Sequence, residues 1–515
     1  MSSRSLRKYG LRTIIAFFVV WLCSHSLSSC GQAGHSYYPD DAWRTSTPEE
    51  QGVDSKCLVT MLRDIQSAKL DLHSLLIIRN GYTIAEVYWE PYHKETTHDI
   101  KSASKSIMSA LVGIALEKRY LKGLNQKITE YFPEYVDESL KKDISLRDLL
   151  TMRSGLNWQE GAGPSPFDIK NWRTVSMRDK PGGRFEYNTL LPQMMSAILT
   201  KTSKTSARDF AGSFLFSPLG VKNYEWKKGD DGYYCGGSEI FMTPRDMAKF
   251  GYLFLRNGSW SGVQVVPSSW IRESTSRKVR LASKTGFYTG LDYGYWWWVQ
   301  ERAYMAWGAG GQYIIVRPDL DLVVVITANS FDKINRYQDF FKSFLEHNIY
   351  SAAKSDSPLP ADRSAARELR DIARQLEYPK ELPRQPMPRT AATISHRRYV
   401  LEPNGMGFTS VGLSFDANDK CTWDYSRGEK EVHMLVGLRG NYLIHTADFS
   451  MGVRPGGEII ACKGFWKDGN TFVIEHHLLG DPSKQVFELG FVQGKVTMHI
   501  NAMGMDATIR GTAVD

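Results

Sequence analysis

Several places in this 515-residue chain set a serine three residues ahead of a lysine, among them Ser102/Lys105, Ser139/Lys142, Ser330/Lys333 and Ser351/Lys354. The spacing is easily met by chance, so the surroundings decide. Only at Ser102 does the pair open a long apolar helix pattern, with Ile107, Met108, Leu111, Val112, Ala115 and Leu116 at helical intervals and a stop near Leu121-Lys122-Gly123. Residues three apart lie on one helix face, so the hydroxyl can meet the amine. The unpaired N–H groups of a helix N-terminus favour negative charge developing there. Together these are the requirements of acyl transfer, with Ser102 as nucleophile and Lys105 as its base. A lysine is a base only when neutral, and at pH 7 that form costs roughly 4.6 kcal/mol in water. The apolar neighbours Ala103, Ile107 and Met108 would lower the cost by desolvation. The plainer alternative is a serine that caps a helix beside a solvated first-turn lysine.

Two further segments carry chemistry-bearing residues. Tyr187 follows the Pro181-Gly182-Gly183 turn and could pass a proton to a leaving group if its phenol lies near the lysine; otherwise it is a half-buried aromatic. Trp307-Gly308-Ala309-Gly310-Gly311-Gln312 runs into the strand pattern Tyr313 to Val316. Its glycines allow close backbone approach to a ligand, and an exposed N–H there could complete an oxyanion hole. A tight turn is the alternative.

The elements that must hold these residues begin with Leu75 to Ile78 and Tyr82 to Tyr88, two strands joined at Asn80-Gly81. Helices are predicted over Ser145 to Met152, Leu191 to Leu199, Ala207 to Phe214 and Arg245 to Leu255, and strands over Tyr295 to Val299, Gln312 to Val316 and Leu322 to Thr327. A sheet whose strands are split by a helical insertion predicts an α+β fold, an antiparallel sheet flanked by helices with a helical subdomain. From Ser351 to Ala391 the composition turns to Ser, Pro, Arg and Glu, with one helical piece near Ala365 to Leu376; beyond it come short strands and turns. The expected organisation is therefore a domain over 45–350, a linker over 351–391 and a smaller all-β domain over 392–515. In that last domain His476 and His477 point to opposite faces of a strand. They are poor joint metal ligands, expected at surface and packing positions.

Ser-x-x-Lys, then the tyrosine, then the Gly-rich strand resemble, in that order, the serine β-lactamase and penicillin-binding-protein superfamily. The likeness is to its class C-like branch of esterases, D-aminopeptidases and aminohexanoate-dimer hydrolases. Leu149 to Leu156, Met242 to Gly251 and Pro318 to Val325 add to the resemblance. It implies Ser102 as nucleophile, Lys105 as base, Tyr187 as second proton carrier, and the N–H groups of Ser102 and Ala309 as oxyanion hole. Trp307, Gly308, Gly310 and Gln312 would contact substrate, and no cofactor or metal is implied. Two positions depart from the family pattern. Tyr-x-Asn is here Tyr187-Asn188-Thr189, and Lys-Thr-Gly is replaced by Ala306-Trp307-Gly308. Without that cation, worth roughly 1.5–3 kcal/mol to a substrate carboxylate, a neutral ester or amide with an apolar part fits better than a β-lactam or peptide C-terminus. The alternatives are a β-lactamase or cell-wall peptidase, and a non-catalytic cell-envelope binder or sensor.

A basic start, the apolar run Ile14 to Leu22 and then Leu27-Ser28-Ser29-Cys30 read as an export signal, 1–30, that resembles the lipobox of bacterial lipoproteins. Cys30 is then the lipid-bearing first residue of a protein held at the bacterial cell envelope. An ordinary secretory signal or an uncleaved anchor are the alternatives. The formal charge of +8 is spread among interleaved acids and partly falls in the leader, which gives no ground for a nucleic-acid partner. Export would let disulfides persist, and Cys421 and Cys462 could pair or stay as buried thiols.

Overall fold

The computed structural model describes residues 37–39, 42–135, 140–281, 290–330, 344–384, 386–416, 420–447, 458–502 and 505–514. The leader, Cys30, Ser139 and Lys333 lie outside them. Asn80 and Gly81 both take positive φ, 52° and 84°, which folds β1 (Asp71–Arg79) back on β2 (Tyr82–Tyr88) as an Asn-Gly hairpin demands. The strands that finish this sheet come from more than 200 residues later: β3 (Tyr304–Gly308), β4 (Gln312–Arg317) and β5 (Leu322–Asn329). β5 pairs with β1, giving the order β2-β1-β5-β4-β3, extended past β3 by three two-residue strands within 279–299. All pairings are antiparallel. Only Trp298–Val299 of the strand predicted over Tyr295 to Val299 is extended. Trp296 has a φ of 61° and sends its indole N–H to the Leu149 carbonyl at 3.0 Å, which breaks the run.

Helix α1 (Ser55–Ser67) precedes the sheet, and the insertion supplies α2 (Ser104–Glu117), α3 (Leu190–Ser203) and α4 (Pro244–Leu255). Thr243 caps α4 by accepting from Asp246 N–H, with Pro244 in the first turn, a standard helix start. Every residue of α2 from Ser104 to Ala115 is buried, so it runs through the core between sheet and helical insertion. No helix among the described residues is long and apolar enough to cross a membrane.

Within the segment expected to be a linker, α5 (Arg363–Glu377) is docked rather than free. Asp362 before it pairs with Lys56 of α1 at 2.9 Å, Glu368 pairs with Arg63, and Leu376 carbonyl accepts from Glu90 N–H at 3.0 Å. Beyond it ten strands close into a barrel: β6 (Arg397–Leu401), β7 (Phe408–Phe415), β8 (Lys420–Arg427), β9 (Lys430–Gly437), β10 (Leu443–Ala447), β11 (Glu458–Trp466), β12 (Thr471–Leu479), β13 (Lys484–Val492), β14 (Lys495–Ala502) and β15 (Met505–Val514). Their order is β9-β8-β7-β6-β15-β14-β13-β12-β11-β10, with β9 also meeting β11 at Gly437/Lys463. The interior holds Tyr399, Leu413, Trp423, Phe472, Phe487 and Leu489. Cys421 and Cys462 are free thiols within it.

His476 and His477 do face opposite ways, but neither is at the surface. His476 packs inside the barrel against Trp423 and Phe487. His477 faces the first domain, where Tyr92 hydroxyl lies 3.1 Å from its Nδ1 and Tyr442 hydroxyl 3.0 Å from its Nε2. The surface expectation is corrected because both faces of β12 are covered, one by the barrel core and the other by Tyr92 and Tyr442.

Candidate active site

Ser102 sits in a 3₁₀ turn, Lys101–Ala103, that runs directly into α2. It is partly exposed while Lys105, one helical turn on, is buried. Lys105 Nζ donates to Ser102 Oγ at 2.8 Å and to Gly237 carbonyl at 2.9 Å. Burial pushes its ammonium down to about 8, against an upward pull from the Glu160 carboxylate. The reachable hydroxyl and the shielded amine are thus in direct contact. At the other Ser-x-x-Lys position that is described throughout, Ser351 and Lys354 are both exposed.

Gly237 reaches Lys105 because the Gly236-Gly237 pair lies flat on the start of α3. A Cβ at Gly236 would stand 1.9 Å from the Pro192 carbonyl oxygen, and one at Gly237 2.8 Å from Thr189 Cγ2. Gly236 N–H also donates to Gln193 Oε1 at 2.9 Å. Tyr187 places its ring 4.9 Å from Lys105 Nζ, stacks on Trp298 at 5.8 Å and meets Tyr293 edge-on. Trp298 meets Trp307, which in turn stacks on Tyr313. An aromatic wall therefore begins at the tyrosine beside the lysine and continues across neighbouring strands of the sheet.

Thr189, where the family pattern has an amide, serves as a strut. Its N–H donates to Glu160 Oε2 at 3.0 Å, its hydroxyl donates to Glu160 Oε1, and Trp158 Nε1 donates to Glu160 Oε2 at 2.8 Å. Glu160 thus ties the Tyr187 segment down and sets its charge near Lys105. Sequence reasoning missed Glu160, Gly237 and Trp298. The Gly236-Gly237 pair was the one local sign that a backbone approach occurs there.

On the Gly-rich strand, Gly308 ends β3 with no room for a side chain, since a Cβ there would lie 2.1 Å from Ile100 carbonyl oxygen. Its close approach in this structure is to Ile100, in the segment leading into Ser102. That approach sets Ala309, exposed at the start of the β3–β4 turn, beside the segment leading into Ser102. Gly310 takes a φ of 78° in the same turn. Gln312 is buried, and its amide donates to Ala328 carbonyl at 2.7 Å, which holds β4 to β5.

A family model described as Beta-lactamase matches residues 73–341, just over half of the chain. The chain belongs to the beta-lactamase family. The match begins in β1 and takes in Ser102, Lys105, Tyr187 and the β3–β4 turn. A curated member, 6-aminohexanoate-dimer hydrolase of Paenarthrobacter ureafaciens, is 23% identical over 309 residues, 54% of this chain and 79% of the relative. Among solved structures, a putative 6-aminohexanoate-dimer hydrolase from Bacillus anthracis is 18% identical, with a TM-score of 0.47 over 67% of this chain and 91% of the other. The octameric penicillin-binding protein homologue from Pyrococcus abyssi is 15% identical, with a TM-score of 0.44 over 89% of this chain and 99% of the other.

Proposed function

We propose that the protein is a serine hydrolase that forms an acyl-enzyme on Ser102 and acts on a small ester or amide. The observation that carries this reading is the 2.8 Å contact between Ser102 Oγ and the buried Lys105 Nζ, with the lysine pushed down to about 8. Neutral Lys105 takes the Ser102 proton as Oγ attacks the substrate carbonyl. The charge that develops on the carbonyl oxygen meets the N–H groups of Ser102 and Ala309. As the tetrahedral species collapses, the proton passes by way of Lys105 and Tyr187 to the leaving alcohol or amine. Water then attacks the acyl group, giving its proton to the same base and restoring the serine.

The wall formed by Tyr187, Trp298 and Trp307 favours a substrate with an apolar part. The name of the Paenarthrobacter relative puts linear amides among the candidates. A fluorescent phosphonate should label the parent protein, and labelling should vanish in Ser102→Ala. A folded parent protein that is not labelled would sink the acyl-enzyme reading in favour of a binder. A hydrolysis screen over neutral esters, amides and a β-lactam then names the class. We also propose that export and lipidation at Cys30 put this activity at the bacterial cell envelope, a reading supported by the leader and by Leu27 to Cys30.

A further inference from the structure

The residue before the proposed nucleophile is unusual in its backbone. Lys101 has a φ of 49°, in the left-handed region that a side chain with a Cβ rarely adopts. Such a conformation persists only where its surroundings over-determine it. Here the hold comes first from Asp99, whose Oδ1 accepts from Lys101 N–H at 2.9 Å and whose Oδ2 lies 2.8 Å from Lys101 Nζ. Asp99 is buried and Lys101 only partly exposed, so the pair is shielded from solvent and from salt.

The second hold comes from the barrel. Asp481 lies in the turn between β12 and β13, and its Oδ2 is 3.3 Å from Lys101 Nζ. Its other oxygen accepts from Ser483 N–H at 2.9 Å and from Ser483 hydroxyl, which fixes the carboxylate's direction. The same turn reaches the nucleophile segment through its backbone, where Gly480 carbonyl accepts from Asp99 N–H at 2.6 Å. Burial works against the Lys101 ammonium, yet the two carboxylates outweigh it and hold its pKa above the ordinary value. The turn therefore meets the strained Lys101 through its side chain and, two residues earlier, Asp99 through its backbone N–H.

We propose that Asp481 is a positioning residue for Ser102, acting through Lys101, so that the barrel holds the nucleophile of the preceding domain in its attacking geometry. The inference rests on Ser102 being the nucleophile. With Asp481 removed, Lys101 keeps one carboxylate, and its left-handed backbone can relax toward ordinary φ and swing Oγ off line. Such a fault slows acylation and leaves the substrate-contacting wall, and hence KM, unchanged.

The test uses the full chain and reads two quantities, the rate of Ser102 labelling by a phosphonate and kcat and KM on a neutral p-nitrophenyl ester. Labelling of the parent protein at Ser102 tests the nucleophile assignment by itself. Asp481→Asn keeps an oxygen for Ser483 and removes only the charge. It is expected to lower the labelling rate and kcat together by about tenfold with KM unchanged. In a Lys101→Met background the same change should have no further effect, because the residue through which it acts is gone. An unaltered labelling rate in Asp481→Asn would overturn the proposal. So would an equal fold-loss in both backgrounds, which would mean that Asp481 merely docks the barrel. Should Asp481→Asn fail to fold, Ser483→Ala loosens the same carboxylate without a charge change. A smaller fall in labelling rate supports the clamp there, and no fall overturns it.

Discussion

The state of Lys105 makes pH the most searching probe of the site. With burial pushing the ammonium down to about 8, about a tenth of molecules carry the neutral amine at pH 7 and about a hundredth at pH 6. At its ordinary value the fraction at pH 7 would be about one in three thousand. The shift is worth about 3 kcal/mol, so at pH 7 the remaining cost of the neutral base is about 1.4 kcal/mol. On a neutral p-nitrophenyl ester, kcat/KM should rise about tenfold per pH unit below pH 8 and level off above it. Glu160 pulls the lysine upward, so Glu160→Gln should move the rising limb to lower pH. Lys105→Arg, whose guanidinium cannot lose its proton, should lose about 10²–10⁴-fold while remaining folded. The sign can be checked independently in stability. The folded pKa lies below the unfolded one, so the unfolded chain holds the extra proton between about pH 8 and 10.5 and stability climbs across that window. A flat kcat/KM between pH 6 and 9, or a limb that moves upward in Glu160→Gln, would refute the base assignment.

Tyr187→Phe keeps the ring against Trp298 and removes only the phenol, so turnover should fall below wild type yet stay well above Ser102→Ala; equal turnover to wild type would remove Tyr187 from proton transfer. His73 is buried with its pKa pushed down to about 3, His476 to about 4 and His477 well below the usual histidine range, all by burial first. The unfolded chain therefore binds more protons below about pH 6.5, and stability should fall with pH by about 1.4 kcal/mol per unit for His73 and again for His476 between about pH 6 and 5, with His477 acting in the same direction. His73→Phe, which keeps the stack on Tyr92, should flatten that slope by one histidine's share in urea titrations at pH 7, 6 and 5; an unchanged slope would refute the assignment. Partitioning of the expressed protein into detergent should be lost, and its size changed, in Cys30→Ser if the cysteine carries the lipid; a variant that stays in detergent unprocessed would refute it.

What could be read from the sequence was local. The Asn80-Gly81 hairpin, the α2 pattern opened by Ser102 and the helix over Arg245 to Leu255 each carry their cause within a few residues, and each stands as expected. The spacing Ser102/Lys105 also fixed the central contact, because three residues on a helix face determine a distance without any tertiary help. The strand expected over Tyr295 to Val299 failed where the Trp296 indole found a partner at Leu149, almost 150 residues away. Glu160, Gly237 and Asp481 reach the site through loops and turns that carry no periodicity of their own. A carboxylate bound to Thr189, a carbonyl that accepts a hydrogen bond from Lys105 and a barrel turn that reaches Lys101 are facts of tertiary packing.

The barrel is where this difference matters most. From the sequence it was a smaller all-β domain set off by a linker. In the structure Tyr92 enters a small apolar cluster with Ala461 and Leu479 of the barrel, Tyr442 N–H donates to Glu90 at 3.2 Å, and Asp481 reaches Lys101. These contacts fall on the segments that flank β2 and lead into α2, so the barrel braces the approach to Ser102 from behind. A linker cut loose from α5 would leave that brace to chance, whereas α5 docked on α1 fixes where the barrel begins. The left-handed Lys101 is then supported by a path of chain that runs from the Ser102 turn through the sheet and α5 to the barrel and back. This accounts for why a turn 380 residues downstream can meet the nucleophile segment at hydrogen-bond distance.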